Sequence, residues 1–358
     1  MLSSCFPRHS VARFFSCSAS SMTSPPKTSS SKPSTVDLLI LGAGWTSTFL
    51  IPHLESSHPS VSFASTTRDG RNGSIKWSFD PSNSSDSEQY DVLPRAKTVL
   101  ITFPIRGEGG SKGLVKGYEK SKGINHSESI RWIQLGSTGI WDGGPTLIAS
   151  KNQNSKNNKE KDTAQPPAYD SSLKWTDRHS PYDMTNQRAI AEDELLSLHR
   201  NTFVLNLSGL WGGERDPSNW IPRIATSKQA LEVKGSLHLI HGLDVARAIL
   251  AVHLSTLKDS SEKAEGGLKG QRYLLTDLRV IDWWDLASRY PHKIAQGEGH
   301  SVEETPESFK WVQELMKEHG VRALPRTPQE LGRALDSREF WDDLGLMPIK
   351  GCYEKGRL

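Results

Sequence analysis

An apolar run that ends in a glycine turn, residues 36–47, constrains the fold of this chain more than any other segment. Val-Asp-Leu-Leu-Ile-Leu precedes Gly42-Ala-Gly44, and helically spaced apolar residues follow. The pattern predicts a first β-strand, a tight turn and a helix. Gly42 suits the turn, and Gly44 has no Cβ, so a diphosphate can approach the amides at the positive end of the helix. An ordinary strand–helix turn is the alternative interpretation.

The third glycine of the usual dinucleotide fingerprint is replaced by Ser47. Serine is small enough to preserve close packing of the helix on the strand. Trp45 and Thr46 complete the turn, and we expect all of these residues to contact a cofactor. Pro52 predicts a kink or a shifted helix start, because an interior proline loses a hydrogen bond.

The tip of the second predicted strand, residues 61–67, bears on the choice of cofactor. An NAD site usually places an Asp or Glu there for the ribose 2′-hydroxyl. Here the tip is followed by Thr67-Arg68, and a guanidinium suits a 2′-phosphate because it makes bidentate, charge-assisted bonds. The sequence therefore predicts NADP before NAD, with Thr67 and Arg68 as contacts. Asp69 is close enough to leave NAD as the alternative cofactor. The alternative interpretation of Arg68 is a solvated loop charge.

Three more segments have the pattern of strands, residues 74–79, 98–104 and 130–135. The second is apolar enough for a buried parallel strand, and its end, Phe103-Pro104, is expected to face the cofactor. The third predicted strand is followed by a polar segment that begins at Gly136. Strands that alternate with helical segments predict an α/β class, a Rossmann doubly wound parallel sheet.

The first 35 residues differ in composition from the rest of the chain. They are rich in Ser and Arg, contain no Asp or Glu, and include Arg13-Phe-Phe-Ser16, which resembles the cleavage signature of mitochondrial presequences. We predict a disordered leader. A mitochondrial transit peptide is one interpretation. A Ser/Pro tail, or a start at Met22, is the other, and would leave the protein cytoplasmic.

The net charge of +3 comes from this leader, whose positive residues are Arg8, Arg13, Lys27 and Lys32. Removing these four charges leaves −1 for the rest of the chain. A nearly neutral body argues against a nucleic acid or a membrane surface as partner. The expected partner is a small-molecule substrate, and the expected state is a monomer or homodimer.

The three cysteines do not predict a disulfide framework. Cys5 and Cys17 lie in the leader, which leaves Cys352 alone in the body and fits a reducing compartment. The histidines are scattered and no metal constellation is predicted. No apolar run reaches the length of a membrane span.

Several short motifs follow one another in the order typical of a known family. They are Ser137-Thr-Gly-Ile-Trp-Asp-Gly143, Ser180-Pro-Tyr182, Ala191-Glu192, Asn206-Leu-Ser-Gly-Leu-Trp-Gly-Gly213, Asp244-Val-Ala246 and Asp336-Ser-Arg-Glu-Phe-Trp-Asp-Asp-Leu-Gly345. In this order they resemble the extended short-chain dehydrogenases/reductases, the NAD(P)-binding nucleoside-diphosphate-sugar epimerase and dehydratase group. The resemblance covers about residues 36–346. It implies one Rossmann-type domain over 36–358, with a small C-terminal substrate lobe built mainly from 207–235 and 275–358.

The resemblance also implies catalytic residues. The family uses a Tyr-x-x-x-Lys pair on one helix face, in which the Lys lowers the Tyr pKa, together with a Ser that holds the substrate oxygen. Tyr182 and Ser137 match the Tyr and the Ser, but Asn186 stands at the Lys position. Asn186 can bind a ribose hydroxyl but cannot stabilise a phenolate. Arg188 is expected to lie too far round the helix to replace the missing Lys. This departure resembles the atypical branch of the family.

Two hypotheses about function follow from the sequence. Tyr182 and Ser137 favour an NADP-dependent oxidoreductase or epimerase-like enzyme acting on a small carbonyl, hydroxyl or nucleotide-sugar compound. Asn186 favours a catalytically inactive NADP-binding sensor or scaffold module. The chemical part of the first hypothesis rests on analogy of fold.

The second half of the chain carries further expectations. A helix is predicted over 187–198 with Glu192, Asp193 and Glu194 exposed. Asp244 is expected to cap a helix next to His241.

Aromatic residues give two expectations, and a polar segment gives a third. Trp211, Trp220, Arg223 and Ile224 are expected at the mouth of the pocket, whereas Trp283-Trp284 favours core packing. The polar segment 151–170, rich in lysine at its start, predicts a disordered insertion on the rim, with a lid as the alternative.

Overall fold

The apolar runs of the sequence become strands of a parallel sheet. The strands are β1 (Thr35–Leu41), β2 (Phe63–Thr67), β3 (Ile75–Lys76), β4 (Arg95–Ile101), β5 (Arg131–Ser137), β6 (Thr202–Leu207), β7 (Gly209–Trp211), β8 (Ser236–Leu237), β9 (Leu239–His241), β10 (Gln271–Leu275) and β11 (Ile281–Asp282). Seven of them form the main sheet in the order β3–β2–β1–β4–β5–β6–β10, and every neighbouring pair in it is parallel.

The order of the strands reverses between β1 and β4. In open α/β sheets a crevice forms at such a switch point, beyond the carboxyl ends of the strands. Leu39 of β1 pairs with Ala64 of β2 and with Val99 of β4, so β1 is the central strand at the reversal. The predicted Rossmann class is confirmed, and the glycine turn after β1 lies at the switch point.

The computed structural model describes residues 35–83, 86–124, 130–142, 175–255, 270–290 and 307–351. They belong to one compact unit, Ser34–Leu358. The predicted leader, except for Thr35, the insertion 151–170 and Cys352 lie outside the described residues. Within the described part, no helix is long and apolar enough to span a bilayer, and no three His, Cys, Asp or Glu side chains gather as metal ligands would.

The helices cover both faces of the sheet. They are α1 (Ser47–Ser57), α2 (Gly110–Lys122), α3 (Gln187–Leu198), α4 (Ile221–Ile224), α5 (Lys228–Glu232), α6 (Gly242–Leu254), α7 (Trp283–Arg289), α8 (Glu307–Glu318), α9 (Pro328–Leu331) and α10 (Arg338–Asp343). Leu38 and Ile40 of β1 pack with α1, α6 and α10, whereas Leu39 and Leu41 pack with α2 and α3. A strand buried on both faces needs a continuous apolar run, which explains the sequence of β1.

A third apolar cluster joins α4, α5, α7 and α8. Trp283 and Trp284 are buried in it, beside Leu231 and Leu315, so the prediction that this tryptophan pair packs in a core is confirmed. Two short sheets, β8 with β11 and β7 with β9, lie in the same half of the chain.

Local differences from the sequence expectations have physical causes. Residues 74–79 pair only at Ile75–Lys76, because Trp77 and Phe79 turn into an aromatic cluster with Phe103. Helix α1 continues through Pro52.

The prediction that Asp244 caps α6 is wrong. His241 is the cap, since its Nδ1 accepts a bond of 3.0 Å from the Leu243 amide. Asp244 instead accepts bonds of 2.9 Å from the amides of Ile349 and Lys350.

A buried ion pair ties β11 to the segment before α9. Arg326 donates from Nη2 to Oδ1 of Asp282 at 2.7 Å and from Nε to Oδ2 at 3.0 Å. The same guanidinium lies 3.6 Å from the ring centre of Trp284. Asp282 is fully buried and also caps α7 by accepting the Trp284 amide.

We expect Asp282→Ala to lower the free energy of unfolding by about 3–5 kcal/mol, because it leaves Arg326 buried without a counter-charge. Asp285→Ala, which breaks the i,i+4 pair with the exposed Arg289 on the same helix, should cost less, about 1 kcal/mol, because Arg289 then remains solvated. Urea unfolding of the two variants measures the difference. Equal losses would mean that the buried pair contributes no more than a surface pair.

Candidate cofactor cleft

The glycine turn after β1 is held from both neighbouring strands. Gly42 has φ of +90°, a conformation that favours glycine. Its amide donates to Oγ1 of Thr66 in β2 at 2.9 Å, and the Thr102 hydroxyl after β4 donates to its carbonyl. A Cβ at Gly42 would lie 2.9 Å from Oγ1 of Thr102, so both backbone angle and space require glycine.

The next glycine opens onto free space. A Cβ added at Gly44 would meet only the Gly42 carbonyl, at 3.9 Å. The amides of Trp45 and Thr46 donate to no acceptor among the described residues, and the buried hydroxyl of Ser47 also has no partner there. Unpaired donors at the start of an eleven-residue helix form an anion site. These residues therefore fit the diphosphate of a dinucleotide.

A cleft of about 210 Å³ begins at this turn and extends over the ends of β4, β5 and β6. Its described lining consists of Gly44, Trp45, Thr46, Thr102, Leu135, Gly136, Ser137, Arg188, Leu207, Ser208, Leu210 and Arg215. The structure thus brings together four of the predicted site residues in one cleft: Gly44, Trp45, Thr46 and Ser137. Arg188 and Arg215 supply the charge, and both were missed as site residues.

A hairpin from the second half of the chain rests on Trp45. The indole Nε1 donates to the Gly212 carbonyl at 3.1 Å, and the Arg215 guanidinium lies 4.4 Å from the ring centre. Gly212 and Arg215 close the hairpin through two mutual backbone bonds. Arg215 therefore stands over the glycine turn as an exposed cation.

The loop after β2 is stabilised by the predicted threonine. The buried hydroxyl of Thr67 accepts from the Gly70 amide at 2.9 Å and lies 2.6 Å from Oγ of Ser74. The pKa of Asp69 is lowered, first by hydrogen bonding to Thr67. Arg68 is exposed and makes no hydrogen bond or ion pair with the described residues.

An aromatic cluster forms beside the turn, where β4 ends. Phe103 is half-buried, and its ring stacks on Phe79 with centroids 5.7 Å apart. Trp77 lies 6.3 Å from Phe103, whereas Pro104 is exposed. Neither Phe103 nor Pro104 lines the cleft itself. The alternation Trp-Ser-Phe in the sequence was the signal for Phe79, which we had not singled out.

Ser137 ends β5 and is held by a buried network. Its hydroxyl accepts from the Gly139 amide at 3.1 Å, and its carbonyl accepts from Nδ2 of Asn206 at 3.2 Å. Asn206 also donates to Oε2 of Glu192 at 2.9 Å, and Arg272 donates to the same oxygen at 2.8 Å. The expected exposure of Glu192 is therefore wrong. Burial raises the pKa of Glu192, and the Arg272 charge opposes that effect.

The contacts of Tyr182 differ from those that the predicted role requires. Its hydroxyl donates to Oδ1 of Asp193 at 2.7 Å, and Arg272 lies 4.6 Å from the ring centre. Burial, followed by the bond to Asp193, raises the pKa of Tyr182 to about 12. A general acid/base at neutral pH needs a lowered value. Tyr182 packs with Trp141 and does not line the cleft.

The helix predicted over 187–198 is observed as α3, which begins at Gln187, so Tyr182 and Asn186 do not share a helix face as the family motif implied. Asn186 is the helix cap, and its Oδ1 accepts from the Arg188 amide at 3.0 Å. The ribose contact predicted for Asn186 therefore competes with this cap. Arg188, in the first turn of α3, lines the cleft.

The residues expected at the mouth of the pocket lie elsewhere. Trp211 is buried with its ring centroid 4.6 Å from that of His241, and Trp220 and Ile224 pack in the third apolar cluster. Arg223 is exposed. From the same segment of chain, Leu210 and Arg215 reach the cleft instead.

A second cavity, of about 380 Å³, lies at the amino end of the sheet. Its charged side chains have structural partners. Lys97 pairs with Asp37 at 2.7 Å, and Arg131 donates to the last carbonyls of α6. This cavity is at the edge opposite to the switch point, so it has no place in the cofactor site.

No protein-family model matches the chain, and no curated protein matches it. Solved structures do resemble it. UDP-glucose 4-epimerase of Thermus thermophilus in complex with NAD shares 12% identity over 87% of this chain and 94% of its own, with a TM-score of 0.45. UDP-N-acetylglucosamine 4-epimerase of Bacillus cereus shares 8% identity over 88% and 94%, with a TM-score of 0.45. Yeast methylglyoxal/isovaleraldehyde reductase complexed with NADPH shares 14% over 87% and 92%, with a TM-score of 0.43.

The low identities and TM-scores of these neighbours give no evidence about the family or the function of this chain. At these identities the likeness concerns the fold and assigns no role to any residue. The roles of individual residues follow from the geometry of the cleft alone.

We expect Tyr182→Phe to lower the free energy of unfolding at pH 7 by about 1.5–3 kcal/mol, because it removes a hydrogen bond to a charged group. The folded-state pKa is raised, so this contribution is present below the ordinary value of 10 and is lost as pH rises toward about 12. Urea unfolding of both proteins between pH 7 and 11 measures it. A constant difference across that range would contradict the raised pKa.

Proposed function

We propose that the chain binds NADP(H) in the cleft at the switch point and acts as an oxidoreductase or epimerase-like enzyme on a small substrate. The observation that carries the proposal is the glycine turn, with open space at Gly44 and unpaired amides at Trp45 and Thr46. A turn that only joined the strand to the helix would need neither the open space nor the unpaired amides.

Each part of the cofactor has residues that suit it. The diphosphate accepts from the Trp45 and Thr46 amides, and Arg215 above them offsets its charge. The Phe79–Phe103 stack gives the adenine an apolar wall. The nicotinamide then lies toward the end of β5, near Ser137. When bound, a nicotinamide ring accepts or donates a hydride.

Ser137 is the residue that we propose to touch the reacting oxygen. Its hydroxyl oxygen accepts from the Gly139 amide, and its proton has no acceptor among the described residues. The hydroxyl can therefore donate to a substrate carbonyl. Asn206 and Glu192 act as positioning residues, since they fix the Ser137 carbonyl from inside the core. Tyr182 takes no part in this proposal, because its proton is held by Asp193.

The preference for NADP rests on the loop after β2. The 2′-phosphate is a dianion at the tip of that strand, where Arg68 is exposed and unpaired within the described chain. Asp69, the residue that would favour NAD, is engaged by Thr67 and lies 3.6 Å from the Arg71 guanidinium.

A second candidate is an NADP-binding module without catalysis. The contact between Tyr182 and Asp193 favours it, because a phenol with a raised pKa is poorly suited to proton transfer at neutral pH. Oxidation of NADPH with a panel of small carbonyl compounds distinguishes the two. Turnover that Ser137→Ala abolishes supports the enzyme, and binding without turnover across the panel supports the module.

We expect Gly44→Val to weaken NADPH binding by about 10–100-fold, since the side chain occupies the place of the diphosphate and removes bonds to a charged group. The variant should fold, because nothing lies within 3.9 Å of the added Cβ. Calorimetric titration measures the affinity. Gly44→Ala serves as a graded control with a smaller loss. Unchanged NADPH affinity in a folded valine variant would contradict the assignment of the glycine turn as the diphosphate site.

We expect Arg68→Ala to weaken NADPH binding by about 10–100-fold and NADH binding by less than about twofold, because only NADPH carries the 2′-phosphate. Arg322→Ala, an exposed arginine in the loop after α8, is the control. Calorimetry with both nucleotides measures the ratio. Equal losses for NADPH and NADH would remove the basis for the cofactor preference.

A further inference from the structure

Arg188 is a cation that the cleft holds without a partner. It lies in the first turn of α3 and lines the cleft with Gly136 and Ser137. Its guanidinium makes no hydrogen bond or ion pair with the described residues. The carboxylate whose pKa it affects is that of Glu192, but Oε2 of Glu192 is already held by Arg272 at 2.8 Å. The charge of Arg188 is therefore available to a ligand.

The lining around Arg188 contains no acidic side chain. Among the described residues of the cleft, the charged ones are Arg188 and Arg215, and both are positive. A concave surface with one sign of charge and apolar walls concentrates ions of the opposite sign. Leu135, Leu207 and Leu210 supply the apolar walls.

Ser208 provides a second, independent observation. It follows β6, lines the cleft and is 6% exposed, and its hydroxyl has no hydrogen-bond partner among the described residues. Its amide is bound to the Leu275 carbonyl at 3.1 Å, so the residue is fixed in place. A buried hydroxyl without a partner costs free energy unless a ligand satisfies it.

The two serines are separated from the glycine turn by two to three strand spacings of the sheet. Ser137 and Ser208 end β5 and β6, the second and third strands beyond β1, which places them about 10–14 Å across at the usual strand spacing. The diphosphate donors lie at β1. Arg188 and Ser208 therefore form a donor set at the substrate end of the cleft, beside Ser137.

We propose that this donor set binds an anionic group of the substrate, a carboxylate or a phosphate. The inference rests on the proposed function and names its substrate class, a small carbonyl or hydroxyl compound that carries an anion. A guanidinium binds both anions through two parallel hydrogen bonds, and the Ser208 hydroxyl can donate to a further oxygen, while the Ser137 proton stays with the substrate carbonyl.

Oxamate and oxamide test the charge requirement, because the two probes have nearly the same shape and differ in charge. Inorganic phosphate tests whether the site binds a phosphate as well as a carboxylate. Each probe is titrated calorimetrically into the full chain, both without nucleotide and with saturating NADP. We expect oxamate or phosphate to bind at least about tenfold more tightly than oxamide. Equal affinities for all three would overturn the proposal.

Variants of Arg188 assign the binding to this residue. We expect Arg188→Gln to weaken anion binding by about tenfold or more, and Arg188→Lys to retain part of the affinity. Ser208→Ala should weaken it by a smaller factor. Arg322→Gln, an exposed arginine in the loop after α8, is the matched control and should have no effect. Unchanged anion affinity in Arg188→Gln would overturn the assignment.

The NADPH affinity of Arg188→Gln separates this inference from the proposed function. We expect it to equal that of the unaltered chain within about twofold. A parallel loss of NADPH and anion affinity would place Arg188 in the cofactor site and overturn the inference. If the unaltered chain binds no nucleotide, the proposed function fails, whereas the titration without nucleotide still tests the anion site.

Discussion

Two hydroxyls hold the backbone of Gly42 in place, one from each strand beside β1. The Thr66 oxygen accepts its N–H and the Thr102 hydroxyl donates to its carbonyl, so the chain leaves the sheet in a left-handed turn fixed from both sides. The direction of α1, the open space at Gly44 and the unpaired amides that follow all depend on this turn. Each threonine ends or follows a strand next to the switch point, which makes the site a product of the strand order.

Behind the cleft, a buried network of charged and polar side chains supports the end of β5. Glu192 and Arg272 pair in the core, and Asn206 links that pair to the carbonyl of Ser137. A Cβ at Gly136 would lie 2.6 Å from Oε1 of Glu192, so the network and the strand fit only with glycine there. Breaking a buried pair by removing one partner is costly, since an uncompensated charge remains. The position of Ser137 is therefore tied to the stability of the core.

The sheet and the glycine turn could be predicted from the sequence because they depend on local patterns. Continuous apolar runs mark strands buried on both faces, and Gly42 marks the turn by its backbone freedom.

The catalytic side of the cleft could not be predicted in the same way. The resemblance implied that the residues at positions 182 and 186 share a helix face, whereas the helix predicted and observed over 187–198 begins after both of them. Arg188 lines the cleft from the first turn of that helix, and a helix prediction alone does not show which of its side chains face a cleft. The burial of Glu192 depends on Arg272, which is 80 positions away in the chain, and no local pattern reveals such a partner.

Trp45 gives the cleft a mechanical property. Its indole is bonded to the Gly212 carbonyl and covered by Arg215, so the glycine turn and the hairpin of the second half are fastened to each other at one side chain. Lifting the hairpin breaks a hydrogen bond and a cation–π contact together. The two walls of the cleft are therefore fastened at one point, and a substitution that removes the Trp45 indole would loosen both of them at once.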